Sequence, residues 1–281
     1  MRERLPEYLK RPIIDTDKTR TVRKILKANC LNTVCENARC PNKNECYTKH
    51  TATFLIMGGV CTRNCKYCNI SCQKPEPLDA DEPKHIAKAV KDLGLKYAVI
   101  TSVTRDDLPD GGAEHFAKCI EEIRKISPDT KIEILTPDFK GNIESLNTII
   151  KAHPDVFNHN IEAVRGIFKT VRPQGNYDVS LSVLKYIKEN SDIKTKSGLI
   201  IGLGENFEQI KETFEDLYNV GCDILTVGQY IQPSKEHYPV GKYYRPEEYE
   251  ELKKLATSVG IKHSQIGPLV RSSYNAASLM E

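Results

Sequence analysis

Apolar residues along the chain fall into two alternating rhythms. Residues 53–57 (TFLIM) form a short apolar run closed by Gly58 and Gly59, and such a run predicts a buried strand. Residues 82–93 place Ile86, Ala89, Val90 and Leu93 at helical spacing before Gly94 stops them, which predicts an amphipathic helix. The alternation continues with strands over 97–103, 131–135, 156–161, 198–203 and 223–230, and helices over 113–126, 143–152, 179–188, 207–220 and 246–259. Six strand–helix units result. Strands separated by helices of this length run parallel, each helix serving as the crossover.

A parallel sheet of this kind is either open and doubly wound or rolled into a barrel. Polar residues recur at the strand C-terminal ends, at Thr101 and Ser102, Thr136, Asn158 and Asn160, Glu205 and Gln229. That face is where β/α barrels assemble their sites. The expected fold is therefore α/β, a partial (β/α)6 barrel of TIM type over residues 51–260. An extension, residues 1–50, precedes it and begins with a polar, basic leader over 1–27. A segment over 261–281 follows it.

Charge changes this picture little. The chain of 281 residues carries 41 Lys and Arg against 38 Asp and Glu, a net +3, too small a surplus to draw a nucleic acid to one face. No stretch approaches the ~18 consecutive apolar residues of a membrane span, and residues 1–10 hold no hydrophobic signal core. A cytoplasmic protein without nucleic-acid or membrane partners is expected.

Cysteine changes it more. Eight of the ten cysteines, Cys30, Cys35, Cys40, Cys46, Cys61, Cys65, Cys68 and Cys72, fall in one N-terminal stretch, leaving Cys119 and Cys222 for the rest. Ten in a chain of this length are too few for a disulfide scaffold, and the chain can bury a core without one. Cys61, Cys65 and Cys68 (CTRNCKYC) follow the first strand and its glycine pair. A given cysteine would meet two others at fixed offsets by chance roughly once in a thousand. Structural zinc takes four protein ligands, whereas three thiolates with no fourth suit an iron–sulfur cluster with one open iron. Cys35, Cys40 and Cys46 (CENARCPNKNEC) form a second triad ahead of the strands, so two clusters are implied. Cys119, on the apolar spacing of a helix, and Cys222, just before a strand, read as buried small hydrophobes. Cys30 and Cys72 lie near the triads but outside both spacings.

The C-x3-C-x2-C motif after the first strand of a β/α partial barrel resembles the radical S-adenosylmethionine superfamily. The segment GLIIGLGE over 198–205 is similar to that superfamily's G-x-I-x-G-x-x-E strand, where small residues let backbone approach the adenine. Further segments, TSVTRDDLPDGGAEHF over 101–116, NHNIE over 158–162, VGQYIQPSKEHYPV over 227–240 and GPLVRSSY over 267–274, resemble the lipoyl synthase family within it, from about Thr33 to the C-terminus. Gln174 in VRPQ, where glycine is usual, and NISCQKP after Cys68 depart from that family's pattern and bear on local loop shape.

The resemblance implies an enzyme, a sulfurtransferase that inserts two sulfur atoms at carbons 6 and 8 of a protein-bound octanoyl-lysine. Its cofactors would be S-adenosylmethionine and two 4Fe-4S clusters. Cys61, Cys65 and Cys68 would hold the cluster that cleaves S-adenosylmethionine to a 5′-deoxyadenosyl radical. Cys35, Cys40 and Cys46 would hold an auxiliary cluster that donates its sulfides, with Ser273 as fourth ligand and Ser272 as the neighbouring alternative. That role needs the C-terminal segment to fold back over the barrel mouth. Asn160 and Glu162 are expected at the ribose and Gly202 at the adenine, with Asp110, Gly111 and Gly112 shaping the loop above. The implied partners are an octanoylated lipoyl carrier domain, of a 2-oxoacid dehydrogenase acyltransferase subunit or of the glycine cleavage H protein, and a reductant such as flavodoxin or ferredoxin. An unactivated methylene has no acidic proton, so acid–base catalysis has nothing to act on and radical chemistry is required. A sulfur-inserting methylthiotransferase acting on tRNA would bring an RNA-binding module and a basic surface. An electron-transfer protein would need neither the six units nor the glycine strand.

Overall fold

The structure, a computed structural model, describes residues 5–12, 16–49 and 51–279. Residues 1–4 and 13–15 of the expected leader, His50, and residues 280–281 of the expected C-terminal segment lie outside them. The strands are β1 Asn32–Thr33, β2 Thr53–Ile56, β3 Val60–Cys61, β4 Ser71–Cys72, β5 Tyr97–Ser102, β6 Lys131–Leu135, β7 Val156–Asn158, β8 Lys194–Ile201, β9 Ile224–Gln229 and β10 His263–Gly267. The helices are α1 Asp17–Ala28, α2 Val34–Asn37, α3 Lys43–Thr48, α4 Glu82–Asp92, α5 Ala113–Ile126, α6 Ile143–Ala152, α7 Arg165–Val171, α8 Tyr177–Asn190, α9 Phe207–Asn219 and α10 Pro246–Val259.

Eight strands form one sheet in the order β1-β2-β5-β6-β7-β8-β9-β10. All neighbours are parallel except β1 and β2, which pair Asn32 with Leu55 and Thr33 with Phe54 in antiparallel register. This is a mixed sheet with flanking helices, as in a partial β/α barrel, with β1 and β10 at its edges. Helices α5, α6 and α10 start and stop where the hydrophobic spacing places them. Two strands differ from expectation. The fourth ends at Asn158, after which Glu162 rejoins the sheet by a lone bridge to Leu199, and the fifth begins at Lys194.

Some elements lie outside the six expected units. Part of the polar leader is helix α1, started by a capping box in which Thr16 and Thr19 satisfy each other's backbone N–H. It buries only Thr19, Val22 and Leu26. Strand β10 (HSQIG) is half polar, yet it extends the sheet beside β9.

Alternation along β6 divides the sheet into two faces. Ile132 and Ile134 join the core under the helices, where Phe116 of α5 meets Phe139 edge-on at 6.4 Å. Glu133, between them, points the other way and meets Lys196 of β8 at 2.9 Å, both side chains fully buried. Asn158 and Tyr97 add hydrogen bonds to the same carboxylate. A buried ion pair stabilises little by itself, but loss of one partner strands the other charge. It therefore fixes the register of β5 to β8 beneath the site.

Candidate active site at the strand C-terminal ends

The first cysteine triad is built on a turn that sequence alone flags through its glycines. After β2 the chain turns through Met57 and Gly58, both at positive φ (64° and 87°). Met57, a non-glycine residue in this region, is held there by its neighbours: its N–H donates to Glu82, itself bonded to buried His115. The close packing of Gly112 also matters, since a Cβ there would lie 2.3 Å from the Met57 sulfur. Asp110 accepts N–H groups from Gly112 and Glu114 and so caps α5.

The loop then passes through Cys61, Cys65 and Cys68 and returns as β4, whose Cys72 stands opposite Cys61. Two backbone N–H groups, of Arg63 and Thr104, donate to the Cys61 sulfur at 3.3 Å each, and the N–H of Ile70 donates to Cys68. Sulfur that collects amide donors in this way is suited to carrying the negative charge of a cluster ligand. The Lys66 N–H donates to the Val171 carbonyl, and His237 reaches the Cys68 carbonyl at 3.0 Å. Burial pushes the Cys68 thiol up to about 12 and raises Cys65 as well, and a metal held by them would have to displace their protons.

Asn160 and Glu162, the expected ribose contacts, stand together beside this triad. Asn160 Nδ2 donates to Glu162 Oε1 at 3.2 Å and to Ser272 Oγ at 2.7 Å. Glu162 takes a positive φ of 68°, its carboxyl is raised by burial, and it lies within electrostatic reach of Cys65 and Cys68. Beneath them Gly198 leaves room for two side chains: a Cβ there would fall 2.7 Å from Asn160 Oδ1 and 3.0 Å from Ser272 Oγ, so both would have to shift. Gly202 is placed differently. The space beside its Cα is filled by Gln229 Nε2 and the Lys242 carbonyl, and its N–H donates to Glu205, which also accepts from Leu203 and Tyr244. The glutamate of the glycine motif thus holds the turn after β8.

The second triad lies on α2, the following turn and α3. Cys35 accepts a backbone N–H from Thr53 and is pushed up to about 12 by burial, with Cys40 and Cys46 adding to the shift. Burial likewise moves Cys46 up to about 11, with Cys40 again contributing. The three thiols are therefore neighbours. Asn69, next to Cys68, donates to the Asn37 carbonyl and joins the two cysteine segments. The C-terminal segment closes over both: Asn42 donates to the Leu269 carbonyl at 2.6 Å, Tyr274 to Glu45 at 2.8 Å, and Thr53 Oγ1 to Ser273 Oγ at 2.8 Å. Ser273 thus stands at the residue that bonds Cys35, while Ser272 faces Asn160.

Among the described residues, no three His, Cys, Asp or Glu side chains converge on one ion-sized point. That is compatible with cubane clusters, whose thiolates each bind a separate iron and so surround the cluster. The donor chemistry, three thiols per set, Cys35 buried and the others partly buried, with amide donors on Cys61, Cys68 and Cys35, fits such a group. Cys119 and Cys222 are buried, whereas Cys30 and Cys72 are exposed. Two arginines escaped the sequence reading. Arg172, in the VRPQ segment, bonds the Asn160 carbonyl and lies near Cys65. Arg63 lies inside the first cysteine motif, and its position there was the available signal.

Residues 55–217 match the Radical SAM superfamily, and the fold agrees. Methylornithine synthase superposes with a TM-score of 0.58 at 12% identity, covering 87% of this chain and 70% of that one. SuiB of Streptococcus suis, bound to its precursor peptide, gives 0.58 at 15%, covering 80% and 54%. The chain is a radical S-adenosylmethionine protein. Over nearly its whole length it is also 53% identical to lipoyl synthase of Caldicellulosiruptor bescii, covering 96% of this chain and 94% of the relative. Lipoyl synthase of Alkaliphilus metalliredigens is 48% identical, covering 99% and 97%. The chain belongs to the lipoyl synthase family.

Proposed function

We propose that the chain is a lipoyl synthase that replaces one hydrogen by sulfur at each of carbons 6 and 8 of an octanoyl group carried on a lysine of a lipoyl carrier domain. The single observation that best supports this division of labour is the contrast between the two serines, one at each cysteine set. When bound, the cofactors supply the 5′-deoxyadenosyl radical at one set and the sulfur at the other.

The residues of this chain do the positioning. Cys61, Cys65 and Cys68 hold one cluster on a loop pinned by backbone donors, and Asn160 and Glu162 orient the ribose of S-adenosylmethionine beside it. Gly202 holds the adenine end through its backbone turn, while Asp110, Gly111 and Gly112 shape the loop above. Cys35, Cys40 and Cys46 hold the second cluster, with Ser273 as its fourth ligand. A serine oxygen is a harder ligand than a thiolate and leaves soft iron more readily, which suits a cluster that must surrender sulfide. In this reading residues 1–50 form the auxiliary-cluster extension, 51–260 the six-unit partial barrel and 261–281 the returning segment. The carrier is a 2-oxoacid dehydrogenase acyltransferase domain or a glycine cleavage H protein, and the reductant a flavodoxin or ferredoxin. No helix among the described residues is long and apolar enough to cross a membrane.

The two cysteine sets should separate by function. Cys61→Ala should abolish 5′-deoxyadenosine formation while the second cluster still assembles; Cys35→Ala should retain cleavage and insert no sulfur. Measuring 5′-deoxyadenosine and lipoyl product in both variants decides the matter, and lipoyl formation by Cys35→Ala would refute the assignment.

A further inference from the structure

The first cysteine loop contains a buried cation that the cluster assignment leaves unused. Arg63 lies two residues from both Cys61 and Cys65 and is 3% exposed. Its guanidinium forks onto two carboxylates from two different strand-end loops. Nε and Nη2 donate to Asp106, after β5, at 2.7 and 2.9 Å; Nη1 and Nη2 donate to Asp138, after β6, at 2.6 and 2.7 Å. Planar double forks are specific to arginine, because lysine offers a single point charge. Asp138 in turn lies 3.8 Å from Arg172, and Asp106 lies 3.6 Å from the exposed Lys140, so each carboxylate has a second cation beside it.

The backbone of the same residues carries the donors to sulfur. The Arg63 N–H and the Thr104 N–H both reach Cys61 Sγ at 3.3 Å. Thr62 ties these two stretches together. Its N–H and hydroxyl both donate to the Thr104 carbonyl, and its hydroxyl accepts from the Asp106 N–H. The Arg63 fork to Asp106 closes this staple, and the fork to Asp138 anchors it to the next loop. Any rotation of residue 63 would withdraw its own N–H from Cys61 and loosen the segment that holds Thr104.

We propose that Arg63 is a positioning residue for the S-adenosylmethionine-cleaving cluster, acting through Asp106 and Asp138 to hold two amide donors on the Cys61 sulfur. The inference rests on the assignment of a cluster to Cys61, Cys65 and Cys68. Hydrogen bonds to ligand sulfur stabilise the reduced, more negative cluster and raise its potential. Arg63 therefore keeps this cluster reducible by a physiological donor, and its effect is confined to one of the two clusters.

The test uses the anaerobically reconstituted full chain, unaltered and as Arg63→Lys and Asp106→Asn. Electron paramagnetic resonance follows a potentiometric titration with and without S-adenosylmethionine, which identifies the responsive cluster. Arg63→Lys keeps the charge but loses the double fork. Asp106→Asn removes half of the clamp at its more exposed end and serves should Arg63→Lys not fold. The expected result is a more negative potential for the responsive cluster in either variant. The other cluster should be unchanged, and 5′-deoxyadenosine formation should fall roughly ten- to a hundredfold. An unshifted potential in a folded variant, or equal shifts in both clusters, would overturn the inference. Absence of any responsive signal in the unaltered chain would instead overturn the cluster assignment beneath it.

Discussion

Two adjacent serines with the same side chain face different chemistry here. Ser273 meets Thr53, whose backbone holds Cys35, whereas Ser272 exchanges hydrogen bonds with Asn160. They lie in a turn closed by the Tyr274 N–H on the Arg271 carbonyl, which sends the two side chains to different partners, but a sequence shows only the pair. Their different partners appear only in the fold. Ser273→Ala should keep 5′-deoxyadenosine formation and lose sulfur insertion. Ser272→Ala should instead weaken S-adenosylmethionine cleavage by roughly tenfold, since Asn160 loses its partner on that side. Product analysis of the two variants side by side checks this; loss of sulfur insertion in Ser272→Ala with normal turnover in Ser273→Ala would reverse the roles. The cysteine triads stand out in the sequence by their spacing alone. Arg63 does not, because one arginine inside a loop is unremarkable until its two aspartates, 43 and 75 residues away, arrive from separate loops.

Strand β8 links the sheet to the site. Its N-terminal half carries Lys196 into the buried pair with Glu133, and Gly198, one pleat further on, leaves room for Asn160 and Ser272. Gly198→Ala should therefore displace Asn160 with little effect on stability, because the backbone at Gly198 is not at positive φ and alanine fits the strand. The expected outcome is a roughly ten- to hundredfold loss of 5′-deoxyadenosine formation at a nearly unchanged melting temperature. Thermal denaturation and product assay together test it, and an unaffected rate would show that the contact is dispensable. The strands and helices of the six units were legible because each buries a continuous apolar run or stripe. Helix α1 and strand β10 were not. In α1 the short apolar stripe of Val22, Ile25 and Leu26 is set among basic residues that read as a polar leader, and β10 is half polar and held by pairing to an existing edge.

At the scale of the whole molecule, the second cysteine segment and the segment after β10 meet at one site. Asn42, Glu45 and Thr53 on one side bond Leu269, Tyr274 and Ser273 on the other, across more than 200 residues of sequence. Long-range closure of this kind has no local signature, so it enters the sequence reading only through family resemblance. The two cysteine segments are also joined by Asn69 and Asn37, and the proposed function would have an octanoyl chain bound between them lose hydrogen at one set and gain sulfur at the other. The most direct measurement supplies an octanoyl-lysine peptide, S-adenosylmethionine and a strong reductant, under anaerobic conditions, to protein whose clusters were assembled with heavy-isotope sulfide. Mass spectrometry of the peptide then reads the product. A gain of two heavy sulfur atoms, with two 5′-deoxyadenosines released per lipoyl group, is the predicted result; cleavage of S-adenosylmethionine without any heavy sulfur in the peptide would contradict it.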